Sequence, residues 1–176
     1  TGNLRPRTYS ATALDGIHFT LEAGVRFEVA GSMVLDPSLL AAGGTLQYFA
    51  GGAPPGQNWH AHSSNGLTFV REPNFGAESL LMANGIALPP GGYRFYAFVG
   101  NAPQNGIRSL SSSDGESWTV DPGYRLQLDP LNPLESAFVK DPAVVVKDGL
   151  HITCYVTRKA AVTAAAEVEG GPAAGR

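Results

Sequence analysis

The stretch Ser109–Leu126, SLSSSDGESWTVDPGYRL, places a serine run, an Asp-Gly pair, a tryptophan and a second turn at Pro122-Gly123 close together. It is one of three. ALDGIHFTLEAGVRF from Ala13 and SSNGLTFVREPNF from Ser63 align with SSDGESWTVDPGYRL from Ser112 without gaps in their central portions. The turn residues Asp15, Asn65 and Asp114 stand 50 and 49 positions apart, each followed by Gly. An aromatic comes three residues after that glycine (Phe19, Phe69, Trp118), and an acid three further on (Glu22, Glu72, Asp121). Asp-Gly and Asn-Gly supply the positive φ of a tight hairpin turn, and the aromatic is expected to pack on the sheet beneath. Serines just before the turn can satisfy its free backbone amides.

A second element also recurs. DPSLLAAGGTLQYFA from Asp36, NGIALPPGGYRFYAF from Asn84 and DPAVVVKDGLHITCYV from Asp141 share an apolar strand, a glycine eight residues on (Gly44, Gly92, Gly149), and an aromatic strand. One unit of about fifty residues therefore reads as buried strand, turn, aromatic strand, loop, third strand (NWHAHS, GIRSLS), Asp-Gly turn and fourth strand. Four short antiparallel strands per repeat is the pattern of a β-propeller blade. An immunoglobulin-like sandwich would not repeat one hairpin at even spacing.

The expected fold is all-β, with about three blades' worth of a propeller: blade ends at 1–30, full blades at about 32–77 and 79–127, and a blade start at 137–157. Rings usually close with four to eight blades. Part of a longer, five-bladed propeller is therefore the first expectation; the second is that the first and last strand pairs complete one blade, giving a three-unit ring or a half that pairs its open edges as a homodimer. Residues 158–176, rich in Ala and Gly and without aromatics, read as a mobile tail or a short helix.

Composition agrees with a turn-rich all-β chain. The 176 residues are 43% hydrophobic and 15% charged, enough to bury a core, and 22 Gly and 13 Pro punctuate short apolar runs. The net charge of −3 and the lack of a basic cluster beyond Arg158-Lys159 leave no electrostatic footprint for nucleic acid or an anionic membrane. No apolar run reaches the roughly 18 residues of a membrane helix. The single Cys154 excludes an internal disulfide framework and a multi-thiolate metal site. Thr1 opens no signal-peptide pattern, so the compartment stays open, with a secreted or periplasmic one favoured.

In a propeller the first strand of each blade lines the central channel. Asp36, Asn84 and Asp141, each eight residues before its blade's turn glycine, are thus expected at one mouth. There, carboxylates would serve as base or pKa modulator, and the Asn84 amide would bind a hydroxyl, in glycoside chemistry. Asp-Pro also starts strands by turn preference alone, so both readings stand. Glu78 and Glu135, each six residues before that position and followed by Ser, are candidate general acids or solvated loop residues. Trp59 either stacks on a sugar ring or fills the core between sheets. His60 and His62 share one face of a strand at a metal-ligand spacing, but no third ligand accompanies them and no metal or other cofactor is expected.

These blade motifs resemble the five-bladed propeller glycoside hydrolases, the arabinanase and xylosidase group and the invertase and levanase group. The Ser-x-Asp-Gly-x-x-Trp hairpin is similar to the Asp-box of sialidases, where the Gly usually stands one residue further from the Asp. The resemblance spans Arg5 to Thr157. It implies a carbohydrate ligand and hydrolysis by three channel acids. Lys140-Asp141-Pro142 resembles the family's pKa-tuning motif, Asp36-Pro37 resembles another channel acid, and Glu135 stands for the acid. Asn84 stands where a further acid would. A non-catalytic propeller module for ligand or protein binding, or an inactive fragment of a larger propeller, is the alternative expectation.

Overall fold

The computed structural model describes residues 5–89, 91–100, 105–132, 134–135 and 137–159; the expected tail lies, from residue 160 on, outside them. Among the described residues all regular structure is strand. Two four-stranded antiparallel units sit between two half-units. The first intact sheet runs in chain order: β3 (Leu35–Ala42), β4 (Thr45–Gly51), β5 (Trp59–Ser63) and β6 (Val70–Arg71). The second repeats it: β7 (Leu80–Ala87), β8 (Tyr93–Val99), β9 (Gly106–Ser112) and β10 (Thr119–Val120), with β11 (Leu126–Gln127) also pairing with β9. Before them stands a two-stranded piece, β1 (Ala11–Thr12) with β2 (Thr20–Leu21). After them comes β12 (Val139–Lys147) with β13 (Leu150–Thr157).

The sheets stack face to face, and the stacking explains the sequence. Leu40, Ala42 and Phe49 of the first intact sheet pack on Leu80, Met82, Phe95, Ala97 and Leu110 of the second. Tyr48, Ala50, Trp59 and Ala61 cover the first sheet's other face against Phe27 and Val34. Tyr96 and Ile107 turn the opposite way, onto Val139 and Val144. A strand buried on both faces has no reason to alternate in polarity, which is why FYAFV, Phe95–Val99, reads as a continuous apolar run. Phe49 is fully buried, with edge contacts to Phe95 and Phe75 at 4.9 and 5.4 Å. Burying a side chain of this size is worth roughly 1.5–3 kcal/mol.

These are the blades of a β-propeller. The recurrent Asp-Gly hairpin joins third and fourth strands in each copy, but it differs from the two-residue turn expected. Six residues, 64–69, separate β5 from β6, and six, 113–118, separate β9 from β10. The loop is held by side-chain oxygens. Asp114 Oδ1 accepts from the amides of Glu116 and Ser117 at 2.8 Å each, and Ser112 Oγ accepts from Gly115 N at 2.8 Å. Asn65 and Ser63 make the same bonds in the preceding copy. Only the glycine takes a positive φ, at 73° in Gly66 and 84° in Gly115. Trp118 then wedges between Phe95 of its own blade and Phe49 of the blade before. Phe69 packs edge-on against Tyr48 of its own blade, whereas Phe19 is 63% exposed.

Candidate functional site

The first strands β3, β7 and β12 are each an edge of their sheet, and β7 lies beside both of the others. Each carries a break in its ladder near its start. Pairing of β3 with β4 lapses between Leu35 and Ser38, that of β12 with β13 between Lys140 and Ala143, and that of β7 with β8 between Met82 and Asn84. One extra residue on the edge strand bulges each time and re-aims the local side chains.

In β3 and β12 the bulge is an Asp-Pro pair. Asp36 takes φ 48° and Asp141 φ 50°. A left-handed backbone is uncommon outside glycine, and a residue before proline is further restricted towards extended conformations. Such conformations cost on the order of 1–3 kcal/mol each and persist only where the surroundings impose them. That two occur, at matching places in separate blades, is the most particular feature of the backbone.

Both bulges open on one cavity of about 530 Å³. Asp36 and Pro37 form one wall, Lys140, Asp141 and Pro142 another, and Leu81, Met82, Ala83 and Phe98 the apolar surface between, with Asn58 at its base. The Lys140 ammonium lies 3.0 Å from Asp141 Oδ2 and 5.6 Å from the centre of the Phe138 ring. Two carboxylates, one ammonium and an apolar floor can receive a neutral polyhydroxylated ligand, the carboxylates accepting from hydroxyls and the floor meeting C–H faces.

The remaining sequence candidates lie elsewhere. Asn84 is the residue at which pairing resumes after the bulge, level with Ser38 and Ala143, and Ala83 occupies the cavity in its place. Its Oδ1 accepts a hydrogen bond from Val144 N at 2.7 Å. Glu78, itself at φ 47°, accepts from Arg108 at 3.1 Å. Glu135 accepts a hydrogen bond from the Tyr155 hydroxyl, and this bond raises the phenol above its ordinary range. Neither glutamate lines the cavity. Trp59 is 4% exposed, its indole donates to Met33 O at 2.9 Å, and the Arg71 guanidinium lies over its ring.

His60 and His62 border a separate cleft of about 630 Å³ formed by β5, the segment Glu72–Gly76 and Glu116. His60 stacks on Phe49 at 4.6 Å with its Nε2 3.2 Å from Gln47 Oε1, and burial lowers its pKa. His62 Nδ1 lies 2.8 Å from Glu72. Among the described residues no three His, Cys, Asp or Glu side chains gather as a metal site. This cleft is the larger of the two, but it has neither the twin bulges nor the paired carboxylates.

Asn58 was not visible in the sequence. It is fully buried; its Nδ2 donates to Leu80 O at 2.9 Å and its Oδ1 accepts from Met82 N at 2.9 Å. The repeat carries no trace of it, because Ile107 stands at the matching position of the next blade.

No protein-family model matches the chain, and no curated protein is similar to it in sequence. Solved structures are similar. A thermostable family-43 glycoside hydrolase superposes with a TM-score of 0.54 at 13% identity, over 73% of this chain and 43% of its own. The fold is that of the five-bladed propeller glycoside hydrolases. The GH32 β-fructofuranosidase of Bombyx mori superposes with a TM-score of 0.50 at 21% identity, over 65% of this chain and 28% of its own. This partial propeller thus spans less than half the length of either protein.

Proposed function

We propose that this is a carbohydrate-active propeller protein, glycoside hydrolase-like, that receives a glycosidic substrate in the cavity between the Asp36-Pro37 and Asp141-Pro142 bulges. The observation that carries the reading is the pair of left-handed aspartates on equivalent bulges facing one cavity. In cleavage, one carboxylate would act as base or nucleophile. The other, held beside Lys140, would orient the sugar and stabilise charge as the glycosidic bond breaks. Carbohydrate as the partner and cleavage as the chemistry also draw support from the two hydrolases that share the fold.

A second reading, binding without cleavage, is favoured by one observation. Cleavage needs a general acid, and the candidate Glu135 is engaged by Tyr155 and is absent from the cavity lining. Turnover of a panel of aryl glycosides by wild type, Asp36→Asn and Asp141→Asn separates the readings. Hydrolysis predicts measurable turnover that falls by about 10²-fold or more in each variant. Binding predicts no turnover, with calorimetric affinity for a neutral oligosaccharide weakened in both variants. Turnover and affinity unchanged by both substitutions would remove the cavity from either role.

A further inference from the structure

Asp36 and Asp141 belong to the first strands of blades on either side of the β7–β10 sheet, and β7 contacts both strands. Their mutual placement passes through this middle blade, by the packing of Tyr96 and Ile107 on Val139 and Val144 and by β7, an edge strand whose inner backbone groups find no partner in its own sheet. Two side-chain amides make the connection. Asn58, from the first intact blade, takes Leu80 O and Met82 N, and so grips β7 immediately before its bulge at Ala83. Asn84, immediately after that bulge, takes Val144 N, two residues beyond Pro142. Both carboxamides thus do for neighbouring blades what ladder hydrogen bonds do within one, and they flank the cavity floor.

We infer that Asn58 and Asn84 are positioning residues that fix the Asp141 bulge relative to the Asp36 bulge across the middle blade. Asn58 is fully buried, so it cannot exchange its partners for water; its loss leaves Leu80 O and Met82 N of β7 without it, and the loss of Asn84 leaves the buried Val144 N of β12 without its acceptor. The inference takes the two aspartates as the site proposed above, but its test uses no substrate.

The test is a double-mutant cycle read by amide NMR. Asp36→Asn is introduced into wild type, Asn58→Leu and Asn84→Leu, and the shift change at the Ala143 and Val144 amides is recorded. In wild type the Asp36 substitution is expected to move both signals; in either leucine background the response should be lost. Asn84→Asp, which keeps the acceptor for Val144 N, should restore it. Should a leucine variant fail to fold, Asn58→Ala and Asn84→Ser take its place, and amide exchange at Met82 and Val144 confirms which bond has been lost. A response of the same size in the relay-broken backgrounds overturns the inference, because it would mean direct transmission through the cavity. No response in wild type overturns it equally. Failure of the glycosidase reading would leave these outcomes unaffected.

Discussion

Asp15, Asn65 and Asp114 perform one task with one oxygen, accepting from the amides two and three residues ahead. Two of the three carry charge. His18, through its backbone amide and then its ring, and next the Ile17 amide, hold Asp15 down to about 2 from 3.8; the Ser117 and Glu116 amides and Ser112 do the same for Asp114. A depressed carboxylate contributes stability that is present above its unfolded pKa and lost as pH falls through the folded one. These two turns should therefore weaken between about pH 4 and 2, while the Asn65 turn should not. Urea midpoints across that range are expected to fall less steeply in Asp15→Asn/Asp114→Asn than in wild type; parallel curves would count against the assignment. The turn-building part of these residues was legible in the repeat. That the oxygen caps a loop of six or seven residues instead of a two-residue turn was not, because Asp-Gly begins both.

The three hairpin glycines have the same sign of φ but different surroundings, and this distinguishes the blades by element. A Cβ on Gly16 would meet nothing within 4 Å, one on Gly66 would come 3.4 Å from Leu46 Cδ1, and one on Gly115 would fall 2.3 Å from Ala42 Cβ in the blade before. Alanine at Gly16 should cost only the left-handed backbone penalty, about 1 kcal/mol. At Gly115 overpacking adds about 1–3 kcal/mol more. Thermal melts should rank the alanine variants Gly16, Gly66, Gly115 in order of increasing loss; an equal loss at all three would mean that blade contact plays no part.

The first hairpin of each blade shows where the sequence misled. Gly43-Gly44 and Asp148-Gly149 close two-residue turns, but five residues, 88–92, separate β7 from β8. Counting eight back from Gly92 therefore reaches Asn84, beyond the bulge, where the same count elsewhere reaches Asp36 and Asp141. The signal was present in ALPPGGY, which holds a Pro-Pro pair that AAGGT and VKDGL lack. Strand identity was readable from apolar runs and glycine punctuation; the bulges were not, since one extra residue in a ladder changes no composition.

Each described sheet packs its core chiefly on the sheets before and after it. Stability in such an array is close to a sum of unit and interface terms. The sheets β3–β6 and β7–β10 each pack on both faces, whereas β1–β2 and β13 are largely exposed. Hydrogen exchange should be slow in β4, β5, β8 and β9 and fast in β1, β2 and β13. A single exchange rate across all strands would instead indicate one cooperative unit.

The inner strands hold an internal comparison. Leu39 and Val144 occupy the same place, second after the Asp-Pro bulge, yet Leu39 is 51% exposed and Val144 is 4% exposed. The chain thus contains its own matched pair, one wet and one dry, at a single address on the blade. A truncation to alanine at each would read out how much of a hydrophobic side chain's worth belongs to the residue and how much to the blade beside it.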